Sequence, residues 1–552
     1  MSDQRRFPGA LLAQTGTVLR TVFANPELRR VELAFGAFNA AEWATWIAMI
    51  VYAYSQGGTT TSGLVALGQL VPAAVFAPFG ASIADRFRPG RVLAFTYVAM
   101  SATMLVTGAA LFAHAAPLLV YVLGALPATV LTLARPSQAT LTPALARNAV
   151  ELTSVNVVSG WVESASVLAA PALAGVILDA SGAGAVFVVM GGAAAVAALL
   201  VAPIPGPQAT VATAGAADDT LEGVIATLRR ERPARLLLVL LFAQFVAIGS
   251  LDVLYPVLAI GVLDHGQGWA GYFNAAFGLG GTLGIAVTAS LVGRRRLMPA
   301  LLAGLVLWCV AFLLIAAKPT LVGVVVLLVV AGVGRIVLDV SGRTLLQRVA
   351  RSDLVARLFG VLEGLSMAGL ALGSVLTAAF VSLGGARFAF ICVALLLPLA
   401  ACVAGRRLFD IDRHATVPVV EIALLRGFPI FAPLNAATLE SLARSLDPLE
   451  FSAGAVVIRE GDDGDRFYML ASGTVEITRG GVLVATVHRG DGFGEVALLH
   501  GTRRNATCTV TEQALLFALE KDAFLEAVTG HPMSHEEARR VAGERLPGSG
   551  ES

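Results

Sequence analysis

The 552-residue chain is 56% hydrophobic and only 14% charged, whereas a soluble domain runs at about half and about a quarter, so most of it belongs in lipid. A formal net charge of +1 gives no case for a nucleic-acid partner, and the arginines fall where membrane topology would put them. Cys309, Cys392, Cys402 and Cys508 stand in apolar or strand-like sequence without metal or redox spacing and read as small hydrophobes.

The first 30 residues, MSDQRRFPGALLAQTGTVLRTVFANPELRR, carry basic groups at both ends and no long apolar core with a cleavage site. They are expected to form a cytoplasmic lead-in, not a signal peptide. From Val31 to Ala404, apolar runs of about 20 residues alternate with short polar breaks, which predicts twelve spans. These lie near 31–54, 62–84, 92–113, 117–140, 152–178, 183–203, 236–262, 269–292, 297–316, 320–339, 356–382 and 386–404. One set of connections holds Arg86, Arg88 and Arg91, Arg147, Arg229 to Arg235, Arg294 to Arg296, and Arg343 to Arg351; the alternate set has almost no lysine or arginine. Both termini are therefore expected inside.

A linker over 204–235 divides the spans into halves at 31–203 and 236–404. It starts rich in Pro, Ala and Thr and ends in DDTLEGVIATLRRERPAR, a helix with an acidic start and a basic finish. LTPALAR at Leu141–Arg147 echoes LLQRVAR at Leu345–Arg351, each between the fourth and fifth spans of its half. Parallel duplication of six-helix halves is a transporter arrangement.

The loop GASIADRFRPGR, Gly80–Arg91, resembles the Gly-x4-Asp-Arg-x-x-Gly-Arg loop of the major facilitator superfamily, with its spacing stretched by Pro89. LAAPALAG, Leu168–Gly175, is similar to the antiporter proline-glycine motif, with alanines at two glycine positions. With EGVIATLRRERPARLLL, the membrane part looks like the drug- and metabolite-efflux branch. The resemblance implies a gating role for Asp85, Arg86 and Arg91 in alternating access; a static ion pair that fixes topology is the other reading.

Ionisable residues at membrane depth are costly, so each is a candidate. Asn39, Glu42, Trp43 and Trp46 share one helical face in the first span, and Gln244, Asp252 and Tyr255 share one in the seventh. Asn156, Ser159, Gly160 and Glu163 do so in the fifth, and Glu363, Ser366 and Met367 in the eleventh. Glu42 is the expected coupling or substrate-facing acid, ahead of Asp252, Glu163 and Glu363, with Asn39 and Trp46 on the same cavity face. Arg335, Asp339 and Arg343 are expected to pair along the tenth span, and Arg135 is a candidate partner for Asp85.

After a charged exit and linker (405–420) the composition turns soluble. Asn435 is placed as the cap of an amphipathic helix, and strands RFYML, TVEIT and VLVATV follow, with Gly461, Gly464, Gly473 and Gly480-Gly481 as turns. The natural packing is an antiparallel β-roll with flanking helices over 421–540, before a short tail at 541–552. Within it, GFGEVALLHGTRRNAT at Gly492–Thr507 puts backbone N–H groups at a helix start beside Arg504, which suits a phosphate held by two hydrogen bonds. This string, with IREGDDGDRFYMLASGTVEI upstream, resembles the phosphate-binding cassette of cyclic nucleotide-binding domains. The resemblance assigns Glu495 to the ribose 2′-hydroxyl, Arg504 to the cyclic phosphate, and backbone groups of Gly494, Val496 and Ala497 to further phosphate contacts. Asn505 departs from the Ala or Thr found there and leaves the base open, with cyclic AMP expected and cyclic GMP the alternative.

The whole is expected to be a mainly α-helical polytopic protein of the inner membrane, a twelve-helix 6+6 bundle with a cytoplasmic β-roll domain. Its expected partners are lipid, a cyclic nucleotide and a small amphipathic substrate, with no cofactor, metal or nucleic acid. Proton-coupled efflux regulated by the nucleotide is the leading function; a membrane-anchored sensor with a transport-inactive bundle is the alternative. No TVGYG-like filter suggests a channel, no G-x4-G-K loop suggests an ATP pump, and no constellation suggests an enzyme.

Overall fold

The computed structural model of the protein describes residues 18–84, 87–147, 149–204, 206, 232–289, 296–349, 355–405, 419–431, 434, 436–529, 534 and 540. Asp85, Arg86, Asn435 and residues 207–231 of the interior linker lie outside the described residues. Contacts divide the chain into two compact units, one built from the membrane helices and the other centred on the tail from Val417.

The first membrane helix starts where the sequence Asn25-Pro26 dictates. Asn25 Oδ1 accepts from the backbone N–H of Glu27 at 3.1 Å and of Leu28 at 3.4 Å, and Pro26 loses no hydrogen bond at a first helical position. Among the described residues, nine helices are long and apolar enough to cross a membrane. Three of them, Pro26–Ala84, Ala149–Val201 and Val355–Ala404, run 59, 53 and 50 residues, more than twice the ~20 a crossing needs. Each is broken once, at Gly57-Gly58, at Gly182 and at Gly385, where φ reaches 66°, 77° and 74°. Glycine adopts such φ without a Cβ penalty, so each long helix holds two spans and the nine make twelve. The multi-residue loops expected at 55–61 and 179–184 are replaced by these glycine breaks.

The Gly182 break (φ 77°, ψ −179°) and the Gly385 break (φ 74°, ψ −176°) match closely. Both fall between the fifth and sixth spans of their halves, a structural counterpart to the sequence echo that supports two related halves. Small residues let spans approach. The seventh and eleventh meet where Ser250 Oγ donates to Gly373 O at 3.2 Å and Ser374 Oγ donates to Gly249 O at 3.1 Å. A Cβ on Gly249 or Gly373 would run into the facing backbone of Leu370 or Val246. The seventh span ends in a π-helical turn, Val257–Val262, directly after Pro256.

The tail is an antiparallel six-stranded sheet in the order β1-β6-β3-β4, with β2 on β6 and β5 on β3. Its two long strands are β3 (Arg466–Arg479) and β6 (Thr507–Glu520); β1 is Asp447–Phe451, β2 Val456–Ile458, β4 Val482–Val487 and β5 Gly492–Phe493. RFYML and TVEIT are one strand, not two: Gly473 (φ 96°) sits in an irregular stretch of β3 where the register shifts against β6. Alternation along β3 builds two cores, since Tyr468 and Leu470 face the interior of the roll while Phe467 and Met469 face the helices. On the helix side Phe467 packs 5.0 Å from Phe524 and 5.3 Å from Phe428, which fixes the helices Val419–Gly427 and Lys521–Thr529 to the sheet.

Candidate functional site

Two sites emerge, one in each unit. In the membrane unit Arg135 begins the helix Ala134–Leu145, after a 3-10 turn at Leu131–Leu133. Its guanidinium spans two carboxylates from different spans: Nη1 reaches Glu163 Oε1 at 3.0 Å and Nη2 reaches Glu42 Oε2 at 3.3 Å. Arg135 and Glu163 are about half exposed, at 45% and 49%, and Glu42 is 23% exposed, so the network lies open on one side. Arg135 thus bridges Glu42 and Glu163; its expected pairing with Asp85 lies outside the described residues. Two acids on one arginine leave the cluster a net negative charge, and protonation of either acid would free half of the guanidinium's partners.

Other expected residues separate. Asn39 is fully buried, and its amide donates to its own helix at Phe35 O, 2.9 Å away. Gln244 leaves Asp252 and Tyr255 to bond Asp339 Oδ1 at 3.2 Å, while Arg343 Nε takes Asp339 Oδ2 at 3.0 Å. With both oxygens engaged, Asp339 forms no ion pair with Arg335. Glu363 is exposed, and Ser366 bonds its backbone carbonyl instead of its carboxyl. Arg91 is exposed in the first turn of Pro89–Phe112. Trp46, Asp252 and Tyr255 do converge, in a cleft completed by Ile50, Pro256 and Asn274. A residue the sequence reading passed over is Glu32, buried and bonded by Ser159 Oγ at 2.7 Å. It is seven residues before Asn39 on the same helical face, a signal hidden by its position beside the Arg29-Arg30 pair.

In the tail, Gly494 adopts φ 94° as the cap of the helix Glu495–His500. That turn aims the helix start at Arg504, which is only 5% exposed. Arg504 Nη1 donates to Gly494 O at 2.9 Å; Nη2 donates to Arg466 O at 2.7 Å and to Asp465 Oδ1 at 3.1 Å. The backbone of Arg504 also pairs with the preceding loop, through Gly461 N–H to Arg504 O and Arg504 N–H to Asp462 O, both at 2.8 Å. Among the described residues both Nη2 hydrogens and one Nη1 hydrogen are used, so one Nη1 hydrogen and the Nε hydrogen remain for the two hydrogen bonds expected to an anion. Asp465 went unnoticed because it closes an acidic run, REGDDGDR, that reads as solvated charge; its place directly after Gly464 was the only available signal.

Glu495 is 1% exposed, and Val496 and Ala497 are buried beside it. Glu495 and Arg504 both act on the Cys508 thiol, which burial pushes up to about 12 against the pull of Arg504. Asn505 is half-buried, and its carbonyl accepts from Arg479 Nε at 3.0 Å.

A family model described as Major Facilitator Superfamily matches residues 33–362, more than half of the chain. The chain belongs to the Major Facilitator Superfamily. A second model, the cyclic nucleotide-binding domain, matches residues 448–531, so this superfamily member carries such a domain after its membrane helices. Over 103 residues, 18% of the chain, it is 37% identical to a cAMP-dependent protein kinase regulatory subunit of Schizosaccharomyces pombe. Over 120 residues, 22% of the chain, it is 35% identical to a cGMP-dependent protein kinase of Eimeria tenella. The match spans 25% of the first relative's length and 12% of the second's. Among solved structures, the regulatory domain of Toxoplasma gondii PKA with cAMP is 31% identical over 20% of this chain and 44% of that one, with a TM-score of 0.20. Both matched families are non-catalytic, and the kinase likeness is confined to the tail.

Proposed function

We propose that this protein is a secondary transporter whose transport rate is set by a cyclic nucleotide bound in the Arg504 cradle. The observation that carries the reading is that Glu495 and Arg504 are both buried in a chain that also holds helices long and apolar enough to cross a membrane. Arginine clusters in the inner connections favour a tail on the cytoplasmic side of the inner membrane, where cyclic nucleotides are made. Cyclic AMP is the preferred ligand, in keeping with the cAMP-dependent relatives, and the domain is taken to run over 421–540, with Gly494, Val496 and Ala497 adding backbone contacts and Asn505 beside the base.

Efflux of a small amphipathic compound, driven by protons, is the transport mode. Glu42 and Glu163 share one arginine, so a proton on either loosens Arg135 and lets the first, fourth and fifth spans shift relative to one another. The nucleotide acts by differential affinity for the two access states.

Proteoliposome uptake over a compound panel, with and without cyclic AMP, tests the whole reading. Nucleotide-dependent rates that vanish in Arg504→Ala are expected; equal rates in all four conditions would discard regulation. Losing the buried guanidinium should cost ~2–5 kcal/mol of nucleotide binding, measured by calorimetry. Glu42→Gln should abolish dependence on the proton gradient, and undiminished proton-driven transport in that variant would remove Glu42 from the coupling step.

A further inference from the structure

The eighth span, Trp269–Ala289, begins without a capping side chain of its own. Gly268 stands directly before it, and the seventh span leads up to it through the π-helical turn and then Asp264 at φ 52°. The cap comes from the other half. Asp179, just before the Gly182 break that ends the fifth span, accepts through Oδ1 from the Gly268 N–H at 2.7 Å, and the Tyr272 hydroxyl bonds the same carboxyl. A carboxylate at a helix start also meets the positive end of the helix dipole.

Glycines make this approach possible. A Cβ on Gly266 or Gly268 would run into the Asp179 carboxyl, one on Gly175 into the Tyr272 ring, and one on Gly271 into the backbone of Pro171. The fifth and eighth spans, one from each half, are therefore in close contact at the end of the bundle away from the arginine-bearing connections. Other spans close there too. Gly261 at the end of the seventh lies against the Tyr54 hydroxyl of the first, and Gly63 of the second lies against Ser374 O of the eleventh. Toward the arginine-bearing end of the same fifth span, Glu163 is half exposed.

We propose that Asp179 is a latch between the halves: it holds this end of the bundle shut, and the alternate access state forms when the eighth span leaves it. This rests on the transporter reading and adds to it the place where the halves part. Asp179 is a positioning residue, acting through the place it gives the eighth span. Its carboxyl is exposed, so water replaces both hydrogen bonds once the mouth opens. The net bias is then modest, enough to tilt the two populations without locking either.

The test is labelling of single cysteines by a membrane-impermeant maleimide, in the full-length chain with Cys309, Cys392, Cys402 and Cys508 replaced. One reporter is Ile50→Cys in the first span, at a position only 2% exposed in the cleft between the halves, labelled from outside on intact cells. The other is Gly160→Cys in the fifth, an exposed position where a Cβ meets no atom within 4 Å, labelled in inside-out vesicles. Asp179→Ala is expected to raise the Ile50→Cys rate at least threefold and to lower the Gly160→Cys rate. Tyr272→Phe is expected to act in the same direction and to add nothing to Asp179→Ala. Asp264→Asn, at an exposed acid whose carboxyl has no bond among the described residues, should change neither rate. An unchanged Ile50→Cys rate in Asp179→Ala, a rise at both reporters, which marks a loosened bundle, or an equal effect of Asp264→Asn overturns the proposal. Where melting temperature and monodispersity show that Asp179→Ala does not fold, Tyr272→Phe decides by the same criteria. No gradient, nucleotide or transported compound enters the measurement, so its failure is separate from failure of regulated transport.

Discussion

Gly494 shows how closely the nucleotide cradle depends on a single backbone conformation. A Cβ there would sit 2.7 Å from Arg504 Nη1 at a φ of 94°, and an L-residue in the left-handed region costs roughly 1–2 kcal/mol before any clash. Gly494→Ala is expected to weaken cyclic nucleotide binding at least tenfold while the sheet stays folded, as calorimetry and far-UV circular dichroism would report. Cys508 gives a pH prediction. Its thiol ionises near 8.5 when unfolded but only around 12 in the fold, so the folded state holds its proton more tightly. That contribution is fully present below about pH 8.5 and is lost as pH rises toward about 12, because the unfolded state releases its proton first. At pH 9 Cys508 should resist iodoacetamide in the native protein and react on denaturation, and Cys508→Ala should flatten the alkaline fall in tail stability followed by hydrogen exchange in β6. Sequence alone singled out Gly494, Glu495 and Arg504 as candidates, since their spacing is local. It did not reveal Asp465 or the bridge from Arg135 to Glu42 and Glu163, because those contacts join residues 39, 93 and 28 positions apart and depend on how elements pack.

At the scale of elements, the twelve-span pattern was legible because each crossing needs its own apolar length. The tightness of the turns was not, because one glycine at positive φ replaces a loop and hydropathy does not register it. A Cβ added at Gly182 or Gly385 would meet no atom within 4 Å, whereas Gly249 and Gly373 face backbone. The two kinds of glycine should therefore fail differently. Gly182→Ala and Gly385→Ala should each lower stability by about 1–3 kcal/mol through backbone strain alone, since positive φ with ψ near 180° is a region that glycine alone adopts readily, and their effects should add because they stand in separate halves. Gly373→Val should separate the seventh and eleventh spans and sharply reduce the yield of monodisperse protein. Comparable thermal shifts for all three variants would show that turn strain and helix approach are not distinct here. In the tail, the merger of two predicted strands into β3 has a similar origin, since a glycine inside a strand can mark an irregular register as well as a turn.

For the molecule as a whole, regulation of the superfamily bundle by the nucleotide-binding domain, as proposed above, would make two ligands thermodynamically answerable to each other. If the nucleotide changes substrate affinity by some factor, the substrate must change nucleotide affinity by the same factor. Typical coupling free energies of ~1–3 kcal/mol correspond to about 5- to 150-fold, large enough to measure from either side. Binding isotherms for cyclic AMP at zero and saturating transported compound, set beside isotherms for the compound at zero and saturating cyclic AMP, should yield equal ratios. Arg504→Ala should bring the compound's ratio to one while leaving its intrinsic affinity intact, because that side chain belongs to the tail. Unequal ratios would show that more than two linked states are populated. Ratios of one in the wild type would leave two independent sites, with the tail reporting the nucleotide to something other than this bundle.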